Sequence, residues 1–256
     1  MLFPFSRSII QLTGAVVFPL LPYYFQKYYR KLKNMKNTNY QACIFDLDGT
    51  LANTLESIAY FGNSTLEAFG FPPIPAEEYR YLVGNGADVL MKRMLFAVGA
   101  SLSKEEFRKF REEYDRRYES EPMRLVTAYP GLWELLGGWK ARGLRLGVLS
   151  NKPDNMTRAI VRELYGDLFD LVQGQKAGVP KKPDPAAVLE MAQRFSLPPE
   201  QVLYIGDSGV DMETGRNAGM DPCGVLWGFR DREELLTYGA KYLVSSAHEL
   251  EKLVSG

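Results

Sequence analysis

The amino-acid sequence predicts an α/β fold, in which a parallel β-sheet is covered by helices and carries a small helical insert. First, strand-like and helix-like segments alternate after residue 41, which is typical of parallel sheets with helical crossovers. Second, residues 54–125 have helical periodicity and no strand-like run. Third, polar residues follow three of the apolar segments, as at the binding edge of an open sheet. We therefore expect an α/β core at residues 41–53 and 126–256, with a helical cap at residues 54–125.

Apolar runs and amphipathic periodicity place the individual elements. Strands are predicted at Ala42–Phe45, Leu144–Leu149, Leu171–Val172, Val202–Ile205, Cys223–Trp227 and Tyr242–Val244. Core helices are predicted at Leu132–Ala141, Asp154–Leu164, Pro185–Phe195, Val210–Ala218 and Ser246–Val254, and cap helices at Leu55–Phe69, Ala87–Val98 and Lys104–Glu119. Because the cap follows the first strand and its turn, we expect it to lie over the carboxyl end of that strand.

The first 40 residues differ in character from the rest of the chain. Residues 8–26 carry no charged side chain, and five basic residues follow them at Lys27, Arg30, Lys31, Lys33 and Lys36. The uncharged run just reaches the length of a membrane span, but prolines and polar residues interrupt it. We expect residues 1–40 to be a dispensable extension, with the true start at Met35. The second interpretation is a membrane anchor at residues 8–26 that leaves the following domain in the cytoplasm.

Composition and charge limit the classes of function. The 256 residues are 46% hydrophobic and 24% charged, and their formal net charge is zero, so nothing favours binding to nucleic acid. Cys43 and Cys223 lie in apolar runs and are expected to be reduced core residues of a cytoplasmic protein. The single histidine, His248, argues against histidine-dependent phosphatases, His-ligated zinc hydrolases and Ser-His-Asp catalysis. Oligomeric state is left open by the sequence.

Two acids follow the first predicted strand. Asp46 and Asp48 lie on the same side of an extended backbone, and carboxylates this close repel each other unless a cation separates them or one is protonated. Taken alone, this pattern is most often a solvated turn. Later strands supply partners, because Ser150-Asn151 and Asp207 directly follow two further predicted strands and should converge on the same crevice.

A proline-rich segment, Val179–Pro185, brings Lys182 to the start of a helix. Asp211 opens the helix that follows Asp207 and can face the same space. Such a set of side chains suits phosphoryl transfer. A carboxylate can attack phosphorus, Mg²⁺ prefers carboxylate oxygens, and a lysine neutralises charge in the transition state.

These residues together identify the chain as a member of the haloacid dehalogenase superfamily. Four motifs carry the resemblance and occur in order, at Asp46–Thr50 (D-L-D-G-T), Ser150, Lys182-Pro183 and Gly206–Asp211 (G-D-S-x-x-D). The resemblance implies a Rossmann-like parallel sheet with helices on both faces and an α-helical cap inserted after the first strand. It also implies a Mg²⁺-dependent hydrolase that acts on a small phosphorylated metabolite through an aspartyl-phosphate intermediate.

The resemblance also implies roles for individual residues. Asp46 is expected to be the nucleophile, Asp48 the general acid and base, and Lys182 the group that steadies Asp46 and the phosphoryl group. Phosphate contacts are expected from Thr50, Ser150 and Asn151. Mg²⁺ would be held by Asp46, the Asp48 carbonyl and Asp207, with Asp211 supporting the site.

Two C-terminal segments, Gly206–Met220 and Gly224–Leu235, are similar to phosphoglycolate phosphatases, so the expected substrate is 2-phosphoglycolate. In the cap, a short glycine-containing stretch precedes a predicted helix. Its free backbone N–H groups, at Gly84, Asn85 and Gly86, are expected to receive the carboxylate of the substrate. Lys92 and Arg93, one to two turns further on, either assist or belong to an ordinary solvated helix face.

Other functions compete with this prediction. A phosphomutase similar to β-phosphoglucomutase would share every core motif, so it stays open, as does phosphatase activity on a sugar phosphate. A dehalogenase should lack the second acid, Asp48. The stretch Gly206–Gly209 resembles a serine protease motif, but Ser208 has no histidine to activate it. A non-catalytic interaction domain of the same fold would be expected to lose one of the charged motif residues, and none is lost.

Overall fold

The computed structural model describes residues 40–256. The predictions of a true start at Met35 and of a membrane anchor at residues 8–26 lie outside the described residues. Within residues 40–256, no helix combines the length and the apolar character that crossing a membrane would require.

Eight strands form two sheets. They are β1 (Ala42–Phe45), β2 (Ala52–Asn53), β3 (Thr127–Ala128), β4 (Arg145–Pro153), β5 (Leu171–Gln175), β6 (Val202–Gly206), β7 (Asp221–Val225) and β8 (Tyr242–Val244). Six of them form one sheet in the order β5-β4-β1-β6-β7-β8, and every neighbouring pair in it is parallel. The predicted fold class, a parallel sheet covered by helices, is therefore confirmed.

The small second sheet was not predicted. It pairs β2 with β3 in antiparallel fashion, with Ala52 opposite Ala128 and Asn53 opposite Thr127. Each strand has only two residues, too few to show the alternation by which a strand is recognised in sequence. The two strands lie at the points where the chain enters and leaves the helical insert.

Ten helices accompany the strands in the described part of the chain. They are α1 (Leu55–Ala68), α2 (Tyr79–Leu82), α3 (Ala87–Ala97), α4 (Lys104–Ser120), α5 (Leu132–Ala141), α6 (Asp154–Tyr165), α7 (Ala186–Phe195), α8 (Gly209–Asn217), α9 (Arg232–Thr237) and α10 (Ala247–Ser255). The eight predicted helices all form, and no helix end differs from its prediction by more than one residue. The helices α2 and α9 were not predicted, because they have only four and six residues and are too short for periodicity to be visible.

Both faces of the large sheet are buried. Successive side chains of a strand point to opposite faces, and β1 shows the consequence. Cys43 and Phe45 belong to the hydrophobic cluster on one face, whereas Ala42 and Ile44 belong to the cluster on the other. Cys43 and the other cysteine, Cys223, are both free and buried. A sheet buried on both faces can bind ligands only at the ends of its strands, which directs attention to that edge.

The helical insert packs around a hydrophobic cluster of its own. Leu66, Met91 and Phe110 lie in this cluster, and two residues of the core, Met156 and Phe229, join it. The longest cap helix, α4, begins with a capping box in which Ser103 and Glu106 bond reciprocally. We propose that residues 54–125 are a separate cap that packs on the core through these shared apolar contacts.

Tyr165 provides a test of how the core supports the turn after β1. Its buried hydroxyl donates a hydrogen bond of 2.7 Å to the backbone carbonyl of Leu51. We expect Tyr165→Phe to lower the free energy of unfolding by about 1–3 kcal/mol, because the carbonyl would stay buried without its partner. Equilibrium urea denaturation measures this loss. Tyr81→Phe, at a side chain that is 65% exposed, is the matched control and should change stability by less than about 0.5 kcal/mol. Equal effects of the two variants would contradict the expectation.

Candidate active site

A pocket that is partly open to solvent lies between the carboxyl ends of the strands and the cap. Most of the predicted site residues line it. From the core these are Asp46, Asp48, Ser150, Asn151, Lys182, Asp207 and Asp211, and from the cap Gly84 and Gly86. The structure thus brings the polar residues at the ends of β1, β4 and β6 together at one pocket.

Lys182 connects two of the buried acids. Its Nζ donates hydrogen bonds of 2.7 Å to Oδ1 of Asp46 and to Oδ1 of Asp211. The lysine side chain is 4% exposed, so these charge-assisted bonds act with little screening by water. Lys182, and not its neighbour Lys181, is thus the lysine that contacts Asp46.

The carboxylates of Asp207 and Asp211, which follow β6, are held in place by hydrogen bonds. Oδ2 of Asp207 accepts a 2.7 Å bond from the backbone N–H of Phe229. Oδ2 of Asp211 accepts bonds from the hydroxyl and the backbone N–H of Ser208, at 2.6 and 3.2 Å. Because these bonds fix both carboxylates, each directs an oxygen towards Asp46. The three acids offer oxygen atoms that all lie within 4.8 Å of one another.

The local environment disfavours negative charge on this cluster. Burial raises the pKa of Asp46 to about 7, against the lowering effect of Lys182, and the nearby carboxylates of Asp211 and Asp48 raise it further. Burial, followed by the charges of Asp211 and Asp46, raises the pKa of Asp207 well above its usual range. Three close carboxylates with one lysine among them are chemically suited to a hard divalent cation, since Mg²⁺ takes oxygen ligands from one or two carboxylates. The residues present therefore fit Mg²⁺.

Two glycines make room for Asp207. Gly49 has φ of +86°, and a β-carbon at this position would collide with Oδ2 of Asp207. A β-carbon on Gly228 would collide with the same side chain. The glycine of the D-x-D-G turn is therefore required both by its backbone conformation and by the close approach of a carboxylate. Gly228 was not singled out from the sequence, because its partner lies on another strand end.

Asp48 lies outside this cluster and has different partners. Its Oδ1 accepts a 2.8 Å bond from the hydroxyl of Thr54. Nζ of Lys152 contacts both carboxylate oxygens of Asp48, at 3.1 and 3.4 Å. The two acids of the first motif are thus neutralised by different lysines, one from each of two distant segments.

The predicted phosphate-binding residues have distinct surroundings. Ser150 is buried and lines the pocket. The amide of Asn151 donates to the carbonyls of Gly84 and Lys182, both at 3.2 Å, and its Oδ1 accepts from the Lys182 N–H at 2.9 Å. Asn151 therefore joins the end of β4 both to the cap and to the segment Val179–Pro185, the lysine loop, which carries Lys182. Thr50 is buried and is not among the residues that line the pocket, and its hydroxyl is 3.5 Å from Oδ1 of Asp207.

The cap loop at residues 83–86 is held in place by a side chain of α3, Arg93. Arg93 donates a 2.9 Å bond to the carbonyl of Leu82 and another of 2.9 Å to Oδ1 of Asn85. Lys92 lies over the ring of Phe107, 5.9 Å from its centroid. Both side chains are thus engaged within the cap. Neither side chain lines the pocket, and Arg93 supports the cap loop through its hydrogen bond to Asn85.

Several pocket residues were not predicted from the sequence. Besides Lys152, the most notable is Arg230, whose Nη2 donates a 2.9 Å bond to the carbonyl of Val83 in the cap loop. Its Nε also lies 3.2 Å from Oε2 of Glu234. The signal for Arg230 was present, since it lies within the segment Gly224–Leu235 that is similar to phosphoglycolate phosphatases, and Lys152 directly follows Ser150-Asn151. The cap tyrosines Tyr114 and Tyr118, which also line the pocket, have no sequence signal beyond helical periodicity.

Comparison with known proteins agrees with this geometry. The sequence matches the haloacid dehalogenase-like hydrolase family over residues 43–225. The chain belongs to this family. The resemblance predicted from the four motifs is thereby confirmed, and the arrangement of the hydrolase's sheet is that of its solved relatives.

Three relatives illustrate the range of the family. A phosphoglycolate phosphatase of Nitrosospira multiformis is 32% identical over 217 residues, which are 84% of this chain and 95% of the relative. An N-acetylmuramic acid 6-phosphate phosphatase of Pseudomonas aeruginosa is 31% identical over 218 residues, 84% of this chain and 95% of the relative. The crystal structure of a protein from Haemophilus somnus, described as a predicted phosphoglycolate phosphatase, has a TM-score of 0.80 and 28% identity, and covers 85% of this chain and 99% of its own.

The carboxylate cluster leads to a prediction for Mg²⁺. We expect millimolar Mg²⁺ to raise the melting temperature by several degrees, since a ligand that binds only the folded state adds about 2.7 kcal/mol at a hundred times its dissociation constant. Because the pKa of Asp46 is raised to about 7, protons compete with the cation, and the rise should be larger at pH 8 than at pH 6. Thermal denaturation with NaCl of equal ionic strength as control measures it. A rise that persists in Asp207→Asn would contradict this assignment.

Proposed function

We propose that the protein is a Mg²⁺-dependent phosphatase that hydrolyses a small phosphomonoester, 2-phosphoglycolate, through an aspartyl-phosphate intermediate. The observation that carries the proposal is the separation of the two acids. Asp46 lies in the buried cluster with Lys182, while Asp48 is held apart by Lys152 and Thr54. The predicted enzyme class, a phosphoric monoester hydrolase, is confirmed by the family and its relatives.

In the proposed first step, the Asp46 carboxylate attacks phosphorus and the bond to the leaving alkoxide breaks. Asp48 gives its proton to that alkoxide, which leaves as the free alcohol. Lys182 contributes a positive charge beside the attacking oxygen, and Ser150 contributes a hydroxyl at the end of the neighbouring strand. Mg²⁺, when bound by Asp46, Asp207 and the Asp48 carbonyl, would neutralise charge on the phosphoryl oxygens.

In the second step, water attacks the phosphorus of the aspartyl-phosphate. Asp48, now ionised, accepts a proton from that water, so that phosphate leaves and both acids return to their starting states. Each acid thus needs a different environment. The contacts of Asp48 lie on the side of Lys152 and the cap, which supports its role towards the leaving group and the water.

The cap loop and Arg230 support a substrate that carries a carboxylate. Gly84 and Gly86 line the pocket at the amino end of α3, where backbone N–H groups favour an anion. The guanidinium of Arg230 bonds the same loop and adds a positive charge at that end of the pocket. A small ester matches this arrangement if its phosphate lies beside Lys182 and its carboxylate lies beside the cap loop and Arg230. The Nitrosospira multiformis relative bears the name of such an enzyme.

A larger sugar phosphate is the second candidate substrate. Two cap acids, Asp115 and Glu119, line the pocket. Carboxylates are good acceptors for sugar hydroxyls. The Pseudomonas aeruginosa relative is named for a sugar phosphate. A mutase that returns the phosphoryl group to a sugar would use the same core residues. For either substrate we place the reaction in the cytoplasm, which the free buried cysteines support.

The nucleophile assignment predicts the effect of one substitution. We expect Asp46→Asn to reduce hydrolysis of 4-nitrophenyl phosphate by roughly 10⁴-fold or more, because loss of a covalent nucleophile removes the whole pathway. Release of nitrophenolate measures the rate. Asp184→Asn is the matched control, since this exposed acid in the same lysine loop caps α7 through a 2.9 Å bond to the N–H of Ala186 and should keep full activity. Turnover by Asp46→Asn within tenfold of the unmodified enzyme would refute the assignment.

The substrate assignment is tested by comparing matched esters. We expect kcat/KM for 2-phosphoglycolate to exceed that for ethyl phosphate, which lacks the carboxylate, by at least about tenfold, since a charge-assisted hydrogen bond contributes about 1.5–3 kcal/mol. Arg230→Met should lower only the value for 2-phosphoglycolate. Equal values for 2-phosphoglycolate and for hexose 6-phosphates would reject the narrow substrate and favour the sugar phosphate.

A further inference from the structure

Lys152 is a buried cation that the proposed mechanism does not use. Its side chain is 5% exposed and lines the pocket. A buried ammonium group is costly unless it is paired and hydrogen-bonded. The structure gives Lys152 three acceptors, namely both carboxylate oxygens of Asp48 and the hydroxyl of Tyr118, the last at 2.9 Å.

These contacts cross from the core to the cap. Lys152 lies in β4, whereas Tyr118 lies in the last turns of α4. The ring of Tyr118 stacks on Phe61 of α1, with centroids 4.7 Å apart and an interplanar angle of 21°. Tyr118 is therefore fixed within the cap, and Lys152 touches both this fixed tyrosine and Asp48.

The position of Asp48 depends on this contact. The only side chains bonded to its carboxylate within the described residues are Lys152 and Thr54. Asp48 does not belong to the group of acids whose oxygen atoms lie within 4.8 Å of one another, namely Asp46, Asp207 and Asp211. Without Lys152, the carboxylate would keep one neutral hydroxyl partner beside a cluster of acids that repels it.

We propose that Lys152 is a positioning residue that holds Asp48 at the leaving group and links its placement to the cap through Tyr118. The proposal rests on the proposed function, in which Asp48 protonates the leaving alkoxide. Docking of the cap thus completes the site, because Lys152 is fully paired only when Tyr118 lies above it.

The dependence of the rate on the leaving group separates this role from a merely structural one. An alkoxide needs a proton as it leaves, whereas nitrophenolate leaves readily without one. The value of kcat/KM reports only the steps up to departure of the leaving group. We expect Lys152→Met to lower kcat/KM for ethyl phosphate by about 100-fold, within the range for general acid catalysis, and that for 4-nitrophenyl phosphate by less than about fivefold.

Tyr118→Phe tests the link to the cap, since it removes the hydroxyl and keeps the stacked ring. We expect it to lower kcat/KM for ethyl phosphate by about five- to tenfold, the usual effect of one hydrogen bond. The double variant should be no slower than Lys152→Met alone, because both changes break one network. Should Lys152→Met fail to fold, the selective loss in Tyr118→Phe still decides the proposal.

Lys140→Met is the matched control. Lys140 forms a 2.7 Å ion pair with Asp170, so the variant also loses one lysine–aspartate pair, and it should leave kcat/KM for both esters unchanged. Equal losses for the two esters in Lys152→Met, or multiplied losses in the double variant, would overturn the proposal. Failure of the unmodified enzyme to hydrolyse either ester would instead refute the proposed function.

Discussion

The central constraint in this protein is the placement of four carboxylates, three of them buried and that of Asp48 partly exposed, at one end of a parallel sheet. Such groups repel each other and lose hydration when buried, so each needs a positive or hydrogen-bonding partner. Lys182 pairs with Asp46 and Asp211, whereas Lys152 pairs with Asp48. Asp207 has backbone and hydroxyl donors instead. This division of partners leaves Asp46, Asp207 and Asp211 close enough to share a cation.

The pairing with different lysines also explains how two neighbouring carboxylates, those of Asp46 and Asp48, can have different proposed roles. Alternation along an extended backbone puts Asp46 and Asp48 on the same side, and this alone would give them similar surroundings. Their lysines come from different segments of the chain and draw the carboxylates apart. The result is one carboxylate within a buried cluster and one at its edge, which is the arrangement that a nucleophile and a general acid require.

The cap is tied to this end of the sheet by side chains of the core. Asn151 bonds the carbonyl of Gly84, Arg230 bonds the carbonyl of Val83, and Lys152 bonds the hydroxyl of Tyr118. Each of these core residues lies beside the acids or the lysine loop. The same residues that organise the site therefore also hold the cap over it. In the proposed function, this arrangement would exclude water from the phosphoryl group of an enclosed substrate.

Local sequence patterns were enough to predict the fold class, the eight longer helices, all six strands of the large sheet and most of the polar residues at the ends of those strands. These follow from local signals, namely periodicity and short motifs, that need no knowledge of distant contacts. The pairing of Lys182 with Asp46 was expected from the family resemblance, but the tertiary structure was needed to show that Lys182 also pairs with Asp211. It was likewise needed to show that Lys152, 104 positions from Asp48, pairs with that acid. It also decided that Gly228 and Arg230 adjoin the site and that Arg93 supports the cap loop. Such contacts depend on the order of strands in the sheet and on side-chain packing, which local patterns do not encode.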